Sequence, residues 1–182
     1  MATIRLVRHG QAAAGFSDDH DPGLAEVGIR QARDMSAALA PLGPQAMVVS
    51  PLRRTRETAR PLEQAWGVAA TVDERVAEIP SPTSDLAERG AWLSQAMAGT
   101  WADLGPDLQA WRDALVQAVV ALPSDTVVVS HFIAINAVVG AAIGNDRVMH
   151  LSLANCSVTT VDTSGGSLAV VELGRTAATE VG

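Results

Sequence analysis

Thr3-Ile4-Arg5-Leu6-Val7-Arg8-His9-Gly10 opens the chain with a short apolar run ending in an arginine, a histidine and a glycine. A run of this length, stopped by a turn residue, reads as a buried strand over 4–7. Two later runs have the same form. Residues 46–49 lead into Ser50-Pro51 with Arg53 and Arg54 close behind, and residues 126–129 lead into Ser130-His131. Helical periods fill the intervals. Leu24, Val27, Ala32, Met35 and Leu39 share one face over 24–39, and Leu52, Thr55, Ala59 and Leu62 form a stripe reaching about residue 64. Ser50-Pro51 has the form of an N-cap followed by proline at the first helical position.

Further along, a short strand is expected at 70–72, a helix over 84–97 capped by Ser84, and a stronger helix over 106–122. An apolar helix over 133–143 follows Ser130-His131, and strands at 158–161 and 168–173 are joined by a turn at Ser164-Gly165-Gly166. Strands alternating with helices predict an α/β fold, a three-layer α/β/α sandwich around a mostly parallel central sheet. Ligands of such sheets bind outside the carboxyl ends of the strands. Here three of those ends carry groups suited to anions, and two run straight into helices, whose amino ends attract negative charge. The expectation is one cationic pocket in an otherwise acidic molecule.

Composition narrows the chemistry. With 182 residues, 48% hydrophobic and 18% charged, the chain suits a single folded domain, read here as 1–174 with a flexible tail over 175–182. The longest apolar run, 132–144, is interrupted by Asn136 and falls short of the roughly 20 residues needed to cross a bilayer. No leader precedes the first strand, so a soluble cytoplasmic protein is expected. A net charge of −7 argues against nucleic acid or an anionic membrane as partner. Cys156 is the sole cysteine, which leaves no disulfide framework and no thiolate zinc cluster. All 13 basic residues are arginine. Without lysine there is no Walker-type phosphate loop and no Schiff-base chemistry. Any anion must be held by Arg, His, backbone amides or a metal, and no pair among the four histidines has helical ligand spacing.

Moving a phosphoryl group requires neutralising its equatorial oxygens, placing a nucleophile in line and protonating the leaving oxygen. Arginine meets the first need with a planar, permanently charged fork. Neutral histidine serves as nucleophile, and a carboxylic acid of raised pKa supplies the proton.

Leu6-Val7-Arg8-His9-Gly10-Gln11 resembles the signature of the histidine phosphatase superfamily, also called phosphoglycerate mutase-like. Leu24-Ala25-Glu26-Val27-Gly28-Ile29-Arg30-Gln31-Ala32 resembles its first helix, and Ser50-Pro51-Leu52-Arg53-Arg54-Thr55-Arg56-Glu57-Thr58-Ala59 its second arginine motif. Val127-Val128-Val129-Ser130-His131 resembles the segment bearing the second histidine. These matches occur in the family's order over roughly 3–173. The resemblance implies a phosphoglycerate mutase-like fold, His9 as the phosphorylated nucleophile, Arg8, Arg54 and His131 as holders of the phosphoryl oxygens, and no cofactor or metal. It places the proton donor at Glu78 in Ala77-Glu78-Ile79, although that residue also reads as a solvated loop carboxylate like Glu74. Arg53 is left facing solvent.

The expected reaction is hydrolysis of a small phosphate monoester. Alternatives are phosphoglycerate mutase-type transfer, a protein phosphohistidine phosphatase, or a noncatalytic phosphate-binding or regulatory protein. Departures from the family pattern cluster on the leaving-group side: Phe132 stands where many relatives have glycine, Glu78 is followed by Ile79-Pro80-Ser81-Pro82-Thr83, and Ala12, Ala13 and Gly15-Phe16-Ser17 replace the usual residues after Gly10. Arg89 is the chief candidate to hold a second anionic group. Trp92, Trp101 and Trp111 read as core or lid packing, or as an apolar wall for the leaving group. His20 and His150 read as surface or loop residues, and Asn155-Cys156-Ser157 as structural.

Overall fold

A computed structural model of the chain describes residues 2–177. The apolar runs form strands β1 (Thr3–Arg8), β2 (Ala46–Val49) and β4 (Thr126–Ser130), with the two-residue β3 (Thr71–Val72) between the last two in sequence. β5 (Val158–Asp162) and β6 (Ala169–Glu172) complete one six-stranded sheet in the order β3-β2-β4-β1-β5-β6. β3, β2, β4 and β1 pair in parallel, and β5 pairs antiparallel with both β1 and β6. The mostly parallel α/β sheet expected from the sequence is present.

Alternation along the strands makes two cores. Val127 and Val129 of β4 and Met47 and Val49 of β2 point to one face, where α1 (Glu26–Leu39) and α2 (Arg53–Trp66) cover them with Met35, Leu39 and Leu62. Val128 points to the other face with Ile4 and Leu6 of β1, under α3 (Leu86–Ala98), α4 (Pro106–Val120) and α5 (Phe132–Ile143). Every residue of β4 is buried, as befits a central strand covered on both sides. Trp101 is buried and stacks on Trp111 with ring centroids 5.9 Å apart, and Trp92 packs against the same core. The tryptophans are therefore core residues rather than a substrate wall.

β1 and β4 are neighbours, but α1 leaves β1 for one face and α5 leaves β4 for the other. That divergence opens a crevice at their carboxyl ends, the favoured ligand position in doubly wound sheets. Gly10 and Gly28 let α1 approach the loop behind β1: a Cβ on Gly28 would lie 2.2 Å from the Gln11 carbonyl oxygen, and one on Gly10 would lie 2.7 Å from that of Gly28.

Three local expectations are corrected. α2 begins at Arg53, not at Pro51: its N-cap is Leu52, still extended at φ −70° and ψ 145°, and the Ser50 hydroxyl accepts from the Leu52 amide at 3.3 Å and lies 2.7 Å from His131 Nε2. α3 is capped by Asp85, whose carboxylate accepts from the Glu88 amide at 3.0 Å, rather than by Ser84. The ordered chain also runs past 174. Arg175 accepts from the Ala154 amide at 2.8 Å and Ala177 donates to Ser152 at 2.7 Å, in a bridge that pairs Leu153 with Thr176. The remaining tail residues lie outside those described. Among the described residues no helix is long and apolar enough to cross a membrane.

Candidate active site

The crevice is a cavity of about 610 Å³ lined by Arg8, His9, Arg54 and Glu78 among others. His9 follows the last residue of β1 and is 9% exposed. Its Nδ1 lies 2.7 Å from the Gly10 carbonyl oxygen, an acceptor, so Nδ1 carries the proton and Nε2 keeps its lone pair. Arg54 donates to that lone pair from Nε at 3.2 Å. Burial pulls the His9 pKa down to about 3, and Arg54 and Arg8 add to the fall against the opposing Gly10 hydrogen bond. The imidazole is neutral and directed, the state a nucleophile requires.

Arg54, 8% exposed, bridges the two histidines. Its Nη2 donates to His131 Nδ1 at 3.2 Å, and the His9 and His131 rings meet edge to face at 5.3 Å. His131 Nε2 lies 2.7 Å from the Ser50 hydroxyl oxygen. Burial holds His131 well below the usual imidazole range, helped by His9, Arg54 and Arg8. A serine hydroxyl both donates and accepts. The Ser50 hydroxyl therefore supports either His131 tautomer, including the one that turns Nδ1–H toward the cavity.

Arg8 is fixed from two sides. Nη1 donates to the Leu153 carbonyl, and the guanidinium carbon lies 4.8 Å from the centre of the Phe132 ring. Its Nε is buried without a partner among the described residues. Segment 153–157 grips the end of β1 as a unit. Besides Leu153, Asn155 Nδ2 donates to the His9 carbonyl at 3.0 Å and the Cys156 amide donates to that of Arg8 at 2.9 Å. Cys156 reaches this position with φ 56°. Its thiol is pushed up to about 12 by burial and is no nucleophile.

Glu78 lines the same cavity and is half-buried. One carboxylate oxygen accepts from the amides of Ile79 at 3.0 Å and Ala134 at 3.1 Å, and the other from Ile133 at 3.2 Å. Burial raises its pKa, and the amides and Arg54 only partly oppose this. Oε2, with a single amide partner, is the oxygen freer to carry a proton.

Four of the five residues singled out in the sequence, Arg8, His9, Arg54 and Glu78, line one crevice, and His131 is fully buried in contact with Arg54. Arg53 is exposed and paired with Glu57 at 2.7 Å, outside the cavity. The expectation that helix amino ends hold the anion is corrected. Glu78 already occupies the first turn of α5, and Asp21 Oδ1 accepts from the Arg53 amide at the start of α2 at 2.7 Å. His20 is not an idle surface residue: it lines the cavity mouth, and Arg89 Nη1 lies 2.8 Å from its Nδ1. His150 anchors the loop after α5 through Asn136, with its Nε2 3.0 Å from the Asn136 carbonyl oxygen. Ser50, Thr58 and Asn155 were not foreseen as site residues. Thr58 Oγ1 accepts from the Gly10 amide at 3.0 Å and donates to the Arg54 carbonyl at 2.7 Å, which ties the two motifs together. The run Ser50-Pro51-Leu52-Arg53-Arg54-Thr55-Arg56-Glu57-Thr58 contains both Ser50 and Thr58, but nothing in it reveals their partners across the sheet.

Comparison with known proteins bears on the family and the fold. Residues 4–176 match the histidine phosphatase superfamily (branch 1). A probable phosphoglycerate mutase GpmB of Erwinia tasmaniensis is 29% identical over 89% of this chain and 85% of its own. The corresponding Yersinia pestis protein is 28% identical over the same shares. Among solved structures, Bacillus stearothermophilus YhfR superposes with TM-score 0.78 at 20% identity, covering 97% of this chain and 98% of its own. A mycobacterial glucosyl-3-phosphoglycerate phosphatase complexed with VO3 gives 0.73 at 23%, covering 97% and 100%. A phosphoserine phosphatase from Entamoeba histolytica gives 0.75 at 20%, covering 94% and 96%. The likeness to these three solved structures is one of fold.

Proposed function

The chain belongs to the histidine phosphatase superfamily, and from that premise we propose that it hydrolyses phosphate monoesters through a phosphohistidine on His9. The observation that carries this reading is the neutral His9 whose Nε2 lone pair faces the cavity beside Arg54. The phosphoryl group replaces the contacts that Arg54 makes with the two histidines, and Arg8, Arg54 and His131 donate to its oxygens. His9 Nε2 attacks phosphorus in line while the ester P–O bond breaks. Glu78, whose carboxyl is pushed upward by burial, gives its proton to the departing oxygen. The hydrogen bond from His9 Nδ1 to Gly10 stabilises the cationic phospho-imidazole. Water then attacks phosphorus, Glu78 takes the proton back from that water, and inorganic phosphate leaves with His9 restored. The sequence uses this chain's own groups and needs no metal, and the expected setting is the cytoplasm.

The test is alkaline-quench trapping with a phosphate ester labelled in the phosphoryl group. The wild type should carry acid-labile, base-stable label and release inorganic phosphate, and His9→Ala should do neither. Absence of label and turnover across a broad panel, with phosphate binding retained, would favour a noncatalytic binding protein instead.

A mutase-type transfer remains the second reading because the curated relatives named above are probable phosphoglycerate mutases. It predicts isomerised phosphoglycerate without net phosphate release. Arg89, its chief candidate for a second anion, is engaged by Phe16 and His20, which favours the hydrolytic reading.

A further inference from the structure

Beyond the phosphate corner, the cavity surface is unevenly furnished. Phe16, Leu93, Met97, Phe132 and Met149 all line it, and all five are half-exposed. They converge from four places: the loop behind β1, α3, the first residue of α5, and the loop after α5. The polar groups at the same end largely have partners already. The Arg89 guanidinium lies 4.2 Å from the centre of the Phe16 ring and one of its nitrogens lies 2.8 Å from His20 Nδ1. Asn155 is committed to the His9 carbonyl. Asp19, which also lines the mouth, would repel a second anion. The Cβ positions around this wall are tight: one placed on Gly90 of α3 would lie 2.0 Å from Ser17 Oγ, so the loop carrying Phe16 sits directly on α3.

We propose that the alcohol part of the substrate is apolar and uncharged, an alkyl or arylalkyl monophosphate, seated on the wall of Phe16, Leu93, Met97, Phe132 and Met149. The proposal rests on the phosphomonoesterase reading for its reaction but not for its binding site. Partly exposed apolar side chains facing a concave space gain free energy when an apolar ligand covers them. Phe132 joins the wall to the phosphate corner, because the ring that faces the cavity also lies against Arg8. A substrate whose alcohol carries a carboxylate or a second phosphate meets the Asp19 carboxylate at this end and must draw Arg89 away from Phe16 and His20 to pair with it.

Calorimetric titration with alkylphosphonates tests binding without turnover, since their C–P bond is not cleaved by this chemistry. Along methyl-, propyl- and hexylphosphonate, affinity should rise by up to about fourfold per methylene, the gain for full burial of each CH₂. 3-Phosphonopropionate should bind at least about tenfold more weakly than butylphosphonate. Leu93→Ser and Met97→Ser should each flatten the series. A flat series in the wild type, tighter binding of the carboxylate ligand, or slopes unchanged in both variants would overturn the proposal. The two readings separate cleanly. Hydrolysis of glycerol phosphate with a flat phosphonate series sinks the apolar wall and keeps the phosphatase; a steep series with no hydrolysis of any ester does the reverse.

Discussion

Arg54 donates through Nε to His9 Nε2 at 3.2 Å, so a buried guanidinium rests on the very lone pair that would attack phosphorus. In the proposed reaction, an anion that draws the guanidinium to itself would free that lone pair for attack. Arg54→Ala should lower kcat/KM by about a thousandfold or more, the scale set by arginines that stabilise phosphoryl transfer. Arg54→Lys should recover only a small part, because an ammonium cannot offer two phosphoryl oxygens the paired N–H donors of a guanidinium fork. Steady-state kinetics on an alkyl phosphate decides it, and near-wild-type activity of the lysine variant would remove the bidentate role.

Glu78 has a raised pKa caused first by burial, so the protonated acid persists above the ordinary carboxylate range and is lost as pH climbs through the raised value. The kcat/KM profile should therefore fall on its alkaline side for alkyl phosphates. Glu78→Gln should abolish that limb and slow alkyl esters by about a hundredfold or more, while slowing an activated aryl ester far less. Equal slowing of both esters would exclude Glu78 as the proton donor.

Ser50 is the partner of His131 Nε2. Ser50→Ala leaves a buried imidazole nitrogen unpaired, at a cost of about 1–3 kcal/mol in unfolding free energy. Arg54 still donates to Nδ1 in the variant, so the ring keeps its Nε2–H tautomer. Urea unfolding should show the lost stability, and nitrogen-15 NMR of His131 the same tautomer in both proteins. A mixture of tautomers in the variant would assign their control to Ser50 instead.

His9 is depressed from 6.5 to about 3, and His131 also lies well below 6.5. For a depressed base the unfolded chain binds the proton first. Stability from keeping these rings neutral is thus complete above about pH 6.5 and lost as pH falls toward 3. Each histidine adds a slope of up to about 1.4 kcal/mol per pH unit within that window. Urea unfolding between pH 7 and 4 should show this loss in the wild type and a shallower slope in His9→Gln, and an identical slope in both would contradict it.

Much of this site is readable from residue order because its chemistry sits at strand ends. A run such as 126–129 announces a buried strand, and whatever follows it, here Ser130-His131, must emerge at the sheet's edge. His9, Arg54 and His131 are legible for that reason. Glu78 is less so, since it lies on an irregular segment after a two-residue strand, and only the resemblance to a family drew it out. Ser50 reads locally as a helix cap because Ser-Pro is a cap pattern, and its partner His131 lies 81 residues away, just past the end of β4. The helix amino ends mislead in the same manner. Their attraction for anions is real, but Asp21 and Glu78 arrive from elsewhere in the chain to satisfy it. His20 and Arg89 are 69 residues apart and meet only because the loop behind β1 folds onto α3.

Glu78 is the N-terminal anion of α5 as well as the candidate acid, and the two duties oppose each other. Protonation for catalysis weakens the acceptor that restrains the Ile133 and Ala134 amides, and deprotonation during ester cleavage tightens it again. α5 begins directly after His131. On the proposed reaction, the first turn of this helix would loosen while Glu78 holds its proton and tighten once the phosphoryl group is on His9. Hydrogen exchange at those two amides should then slow when the phosphoenzyme accumulates, a readout that needs no label on the substrate.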